Sequence, residues 1–76
     1  MNNNSNELTI DELEKIIYDL IQNEYNGIIT RYTLEGILLY TYNCSHNRMY
    51  RVIMELILNE KITLEKLTDG EYYKIV

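Results

Sequence analysis

The stretch Asn43-Cys44-Ser45-His46-Asn47-Arg48-Met49-Tyr50-Arg51-Val52-Ile53-Met54-Glu55-Leu56-Ile57-Leu58-Asn59-Glu60-Lys61 decides how the rest of the chain is read. Met49, Val52, Ile53, Leu56 and Ile57 recur at i, i+3, i+4, i+7 and i+8, the spacing that lines one face of a helix with apolar side chains. Ser45 stands where a hydroxyl can accept from an unpaired first-turn N–H, so the helix is expected over 45–59. Asn47, Arg51, Met54 and Leu58 fall on the opposite face, with Arg48 and Glu55 on one flank and Tyr50 on the other.

Upstream, the same logic gives two more helices. Thr9 and Glu12 have capping-box spacing, Leu8 and Leu13 occupy staple positions, and Asp11 and Glu12 put negative charge on the positive end of the dipole. Leu13, Ile16, Ile17, Leu20 and Ile21 form the stripe of a first helix over about 10–25, stopped by Asn26-Gly27. Gly27-Ile28-Ile29 is short and β-branched, a brief strand that would pair with something later. Thr30 caps a second helix running to about Tyr40, with Leu34, Ile37 and Leu38 inward. Gly36 costs that helix about 1 kcal/mol relative to alanine. It either lets another helix approach or is simply tolerated.

Downstream, Ile62–Leu67 and Tyr72–Val76 alternate and flank Thr68-Asp69-Gly70-Glu71. Asp-Gly favours a two-residue type I′ turn, which would set Leu67 opposite Tyr72, Glu65 opposite Lys74 and Leu64 opposite Ile75. A slip of one residue would turn every side chain to the wrong face. Residues 1–8 are Asn-rich and expected as a disordered tail, leaving 9–76 as one domain.

A chain of 76 residues supports one thin core, and association with a second copy is expected on size alone. The single cysteine, Cys44, cannot form an internal disulfide, and with His46 it falls short of a structural zinc set. No metal or cofactor is expected. No apolar run approaches the ~18 residues a spanning helix needs, and the N-terminus has no signal-peptide pattern, so a soluble cytoplasmic protein is the expectation. Net charge is −5, but it is unevenly spread. Residues 1–26 carry −5, residues 27–53 carry +2 and residues 54–76 carry −2. Local field steers a polyanion, and the one positive third holds the central helix.

The order helix, short strand, helix, turn, helix, hairpin resembles the winged helix-turn-helix family of DNA-binding domains across about residues 9–76. Gly27-Ile28-Ile29-Thr30 looks like that family's first strand and second-helix cap, Ser45 to Leu56 like its recognition helix, and Asp69-Gly70-Glu71-Tyr72-Tyr73 like its wing tip and returning strand. Asn59-Glu60-Lys61-Ile62 stands where the family usually has a glycine, a departure that Asn59 would soften by tolerating the left-handed conformation. The expected fold class is therefore α+β, mainly α, with three helices and a C-terminal hairpin wing.

The resemblance implies sequence-specific binding to double-stranded DNA by a transcriptional regulator. Asn47 and Arg51 are the base-reading candidates, since asparagine matches adenine and arginine matches guanine through paired hydrogen bonds. Ser45, His46, Arg48 and Tyr50 are placed for phosphate, as are Thr30 and Arg31 at the second helix's start and Lys66 on the wing. The blander alternative lets Arg48 and Arg51 solvate the outer face and pair with Glu55, and Lys74 pair with Glu65. The eight tyrosines divide between core (Tyr73, Tyr42) and surface, and Tyr18, Tyr32 and Tyr40, with Leu39, Met54 and Leu58, leave more apolar surface than a monomer needs. A homodimer is expected, as two-fold DNA readers commonly are. The competing class is a protein-interaction module, or an acidic inhibitor that imitates nucleic acid before a nucleic-acid-binding enzyme. No nucleophile–base pair or Gly-rich phosphate loop argues for an enzyme. Heavy use of Asn, Ile and Tyr without Pro fits an AT-rich genome, such as a phage or archaeal virus.

Overall fold

The computed structural model describes residues 8–76, so the expected tail at residues 1–7 lies outside the described residues. Leu8, placed in that tail by composition, instead packs against the core beside buried Leu13, as a staple requires. The capping box closes in both directions. The Glu12 N–H donates to Thr9 Oγ1 at 3.1 Å and the Thr9 N–H donates to Glu12 Oε1 at 2.8 Å. Helix α1 runs Ile10–Asp19 and widens into a π turn at Leu20–Glu24. Asn26 at φ 57° and Gly27 at φ 94° end it, with the Gly27 N–H reaching Ile21 O at 2.8 Å.

Strand β1 spans Ile28–Thr30 and leads straight into α2, Arg31–Gly36, which also widens, at Ile37–Thr41. Helix α3 covers His46–Leu58, and the hairpin is β2, Ile62–Leu67, and β3, Gly70–Ile75. β1 pairs antiparallel with β3, giving a three-stranded sheet in the order β1-β3-β2. Three helices with a C-terminal hairpin make the α+β, mainly α layout of a winged helix-turn-helix. No helix among the described residues is long and apolar enough to cross a membrane.

The core is built from the faces that periodicity marked. Leu13, Ile17 and Ile21 of the first helix meet Leu34 and Leu38 of the second and Met49, Val52, Ile53 and Leu56 of α3. Ile29, Tyr73 and Leu64 lie in one row across the sheet, because Tyr73 is opposite Ile29 on one side and Leu64 on the other. Tyr73 is buried as expected, whereas Tyr42 is not a core residue: its place after the widened turn leaves it on the surface.

Two local expectations are corrected. The hairpin turns at Thr68-Asp69, so Leu67 faces Gly70, Lys66 faces Glu71, Glu65 faces Tyr72, Leu64 faces Tyr73 and Thr63 faces Lys74. Asp69 keeps negative φ, which a type I′ turn forbids, and only Gly70, at φ 145°, is positive. The Asp69 carboxylate instead accepts from the Tyr72 hydroxyl at 2.9 Å. The offset is two residues, so every side chain keeps its face. The expected Glu65–Lys74 pair is lost, and Glu65 accepts from the Thr63 hydroxyl at 3.0 Å.

The second correction lies after α3. Asn59 stays at φ −86° and Glu60 takes the left-handed position, at φ 60°. The Lys61 N–H bonds Leu56 O at 2.9 Å and the Glu60 N–H bonds Ile57 O at 3.0 Å, the two bonds of a Schellman motif whose left-handed residue must be Glu60. A side chain there costs about 1–2 kcal/mol. Glu60→Gly is therefore expected to stabilise the domain by about 1 kcal/mol after glycine's own entropy is counted. That raises the thermal midpoint by about 4–8 °C, readable by calorimetry.

Candidate nucleic-acid interface

Helix α3 is half core and half surface. Its inner stripe is fully packed, so the domain fixes the helix's rotation and hence what it shows to solvent. Ser45 caps it, accepting from the Arg48 N–H at 3.2 Å and leaving the N–H groups just before it open at the N-terminus. His46, Asn47 and Arg51 are exposed, and Tyr50 stands beside them with its ring 6.3 Å from that of His46. Arg51 forms no ion pair with Glu55 or with any other described residue. The outer stripe then turns apolar, through Met54, half exposed, to Leu58, more so.

Arg48 is placed differently. It is half-buried and its guanidinium donates to the Leu8 carbonyl, tying the start of the domain to the first turn of α3. That bond fastens α1's entry against the helix it packs on. The side chain's open edge still flanks the N-terminal end of α3.

The residues at the start of α2 are committed inside the protein. Thr30 accepts from the Thr33 N–H at 3.1 Å and donates its hydroxyl proton to Thr33 Oγ1 at 2.7 Å. Arg31 bridges two acids: Nε donates to Glu35 Oε2 at 2.8 Å and Nη1 to Glu71 Oε1 at 2.7 Å. Glu71 also faces Lys66, whose Nζ lies 3.7 Å from Oε2. A chain of charges thus runs from α2 to both strands of the wing. The groove between them is lined by Glu35, Asp69 and Glu71 against Arg31 alone, so its field is negative. Lys61 and Lys74 are exposed, and Lys74, opposite Thr63, makes no ion pair with Glu65.

The structure therefore gathers Ser45, His46, Asn47, Tyr50 and Arg51 at one end of α3, with Arg48 on the flank. It sets Thr30, Arg31 and Lys66 apart, at the start of α2 and beside the wing tip. The Arg31–Glu35 half of the bridge, unanticipated from the sequence, has an i,i+4 spacing that could have signalled it. The Glu71 half depends on hairpin register, and the Arg48 bond depends on where the chain enters α1.

Hydrogen bonding from Arg31 holds the Glu71 carboxyl below the usual carboxylate range, with Lys66 adding to it and partial burial opposing. A carboxyl lowered in the folded state stabilises the fold above its unfolded value, and that stabilisation is lost as pH falls through the folded value. The bridge should accordingly persist as pH falls through the ordinary carboxylate range and open in stronger acid. A carbon-detected NMR titration should find Glu71 titrating below the ordinary glutamate value, and Arg31→Met should raise it toward that value.

Comparison with protein-family models, curated proteins and solved structures finds no match to this chain.

Proposed function

We propose that this protein binds duplex DNA without catalysing a reaction on it, with the first two turns of α3 in the major groove and the hairpin beside the backbone. The observation that carries the reading is the pairing of Asn47 with Arg51. They lie one turn apart on the outer face of a helix whose rotation the core fixes, both exposed and neither engaged in an ion pair or hydrogen bond among the described residues. That is the presentation direct readout requires. Ser45, His46, Arg48 and Tyr50 lie around them for phosphate and sugar contacts, and Lys66 reaches the backbone from the wing. Thr30 and Arg31 act by holding α2 and the wing rather than by touching phosphate. The protein belongs to the winged helix-turn-helix group on this reading and regulates transcription in the cytoplasm of a cell or of an infected host.

The test is fluorescence anisotropy with random-sequence duplex across a salt series. Each phosphate contact contributes about 0.9 to the slope of log affinity on log salt, so two or three cationic contacts predict a slope near −2 to −3. A protein that ignores duplex DNA at low salt overturns the proposal.

One observation favours a second reading. Arg31 and Lys66 are neutralised by Glu35 and Glu71, and the α1 surface is acidic, so much of the surface repels nucleic acid. An interaction module, or an acidic surface presented to a nucleic-acid-binding enzyme, would use Met54, Leu58 and the exposed tyrosines instead. Capture of such an enzyme, with no DNA affinity at any salt, would select this reading.

A further inference from the structure

Gly36 has no reason to be glycine inside this domain. Its φ of −62° is ordinary helix, and a Cβ built on it meets no atom within 4 Å. Glycine weakens a helix interior, so a residue with that cost and no internal function points outward. Tyr32 and Tyr40 stand four residues to either side, 88% and 83% exposed, the most exposed large hydrophobic side chains among the described residues. In a regular helix they would be turned ~80° apart at ~100° per residue. The π turn at Ile37–Thr41 winds more slowly, so Tyr40 falls nearly in line with Tyr32 and Gly36. The outer stripe of α2 is then ring, notch, ring. It carries no free charge, because Arg31 and Glu35 at its edge are bonded to each other.

We propose that this stripe is the contact between two copies of the chain, crossing antiparallel about a two-fold axis at Gly36. The spacing argues for a second copy over any other occupant. Tyr-x-x-x-Gly-x-x-x-Tyr reads the same in both directions, so a two-fold at Gly36 sets each Gly36 on its mate and each Tyr32 beside the other copy's Tyr40. A surface that is its own complement is what an isologous interface requires. Bare backbone at the crossing point lets the helices approach, and the rings close over both sides. Area sets the strength. A tyrosine buries about 150–250 Å² at most, so four rings supply roughly 600–1,000 Å², below the ~1,200 Å² of a standard interface. The association should therefore be reversible and dependent on concentration.

Analytical ultracentrifugation from micromolar to millimolar protein tests this independently of DNA binding. The wild-type protein should pass from monomer to dimer within that range. Gly36→Arg should weaken the dimer at least tenfold while its thermal midpoint stays at or above wild type, since the site is open in the monomer. The Tyr32→Ser, Tyr40→Ser double variant should do the same without altering the notch. A protein that is monomeric at millimolar concentration overturns the proposal, as does a dimer indifferent to both variants. A monomer whose DNA affinity falls with Tyr32→Ser would assign the stripe to nucleic acid and overturn it equally.

Discussion

Tyr73→Ala is expected to cost about 3–5 kcal/mol, the range for removing a buried aromatic ring. Tyr73 sits in the central strand between Ile29 and Leu64, 3% exposed, and is the one aromatic ring in the core among the described residues. Without it the sheet keeps its ladder but loses the body that fills the space above α2 and α3. A domain of this size is stable by roughly 4–11 kcal/mol, so the variant should lose a large share of its stability and, at the low end of that range, be near half-unfolded at room temperature. Urea denaturation followed by circular dichroism reads this directly. Tyr73→Phe separates ring from hydroxyl. The hydroxyl makes no hydrogen bond among the described residues, so the phenylalanine variant should stay within about 1 kcal/mol of wild type. Burial pushes the Tyr73 phenol above its ordinary value. Such a group supports the fold below its unfolded value, about 10, and that support is lost as pH rises through the folded value. Tyr73→Phe should accordingly resist alkaline unfolding better than wild type.

What the chain announced in its letters was what depends on neighbours a few residues apart. The Thr9–Glu12 box, the Thr30 and Ser45 caps and the three apolar stripes all stand where spacing placed them, because helix capping and amphipathicity are local. The hairpin's existence was legible for the same reason. Its register was not, because Asp69-Gly70 is only a preference. The tertiary gain from placing Glu71 between Arg31 and Lys66, with Asp69 under the Tyr72 hydroxyl, selects the other turn. The αL position after α3 was displaced for a similar reason: the last apolar residues, Leu56 and Ile57, set where the Schellman bonds fall, and the left-handed residue follows at Glu60 whatever its type. At the candidate interface, sequence identified which end of α3 is polar. It could not separate exposed cations from engaged ones. Arg31 and Arg48 look like Arg51 in the sequence, yet one bridges two carboxylates and another holds the Leu8 carbonyl.

That distinction orders the arginines by effect on DNA affinity, and the order is itself a test of the proposed function. Arg51→Ala should weaken binding to a selected site by about 1–3 kcal/mol, about fivefold to more than a hundredfold, if it reads a base through two hydrogen bonds. Asn47→Ala should cost a comparable amount, and the pair together roughly the sum where they read different base pairs. Both side chains are exposed, so neither change should move the thermal midpoint by more than about 4 °C. Lys66→Ala should weaken all sequences alike and reduce the salt slope by less than about 1, because its ammonium already lies 3.7 Å from the Glu71 carboxylate. Arg31→Met should act through the fold. It frees Glu35 and Glu71, loosens the wing and lowers affinity and stability together, with the salt slope nearly unchanged because its charge already has partners. Arg48→Ala should fall between, losing a phosphate-facing charge and the Leu8 bond at once. The decisive comparison is Arg51 with Arg31 at equal salt. A helix that reads DNA loses specificity with the first, and with the second loses stability and affinity but keeps its specificity. If Arg51→Ala leaves affinity untouched while Arg31→Met abolishes it, the contact surface is the wing groove and α3 is not a recognition helix.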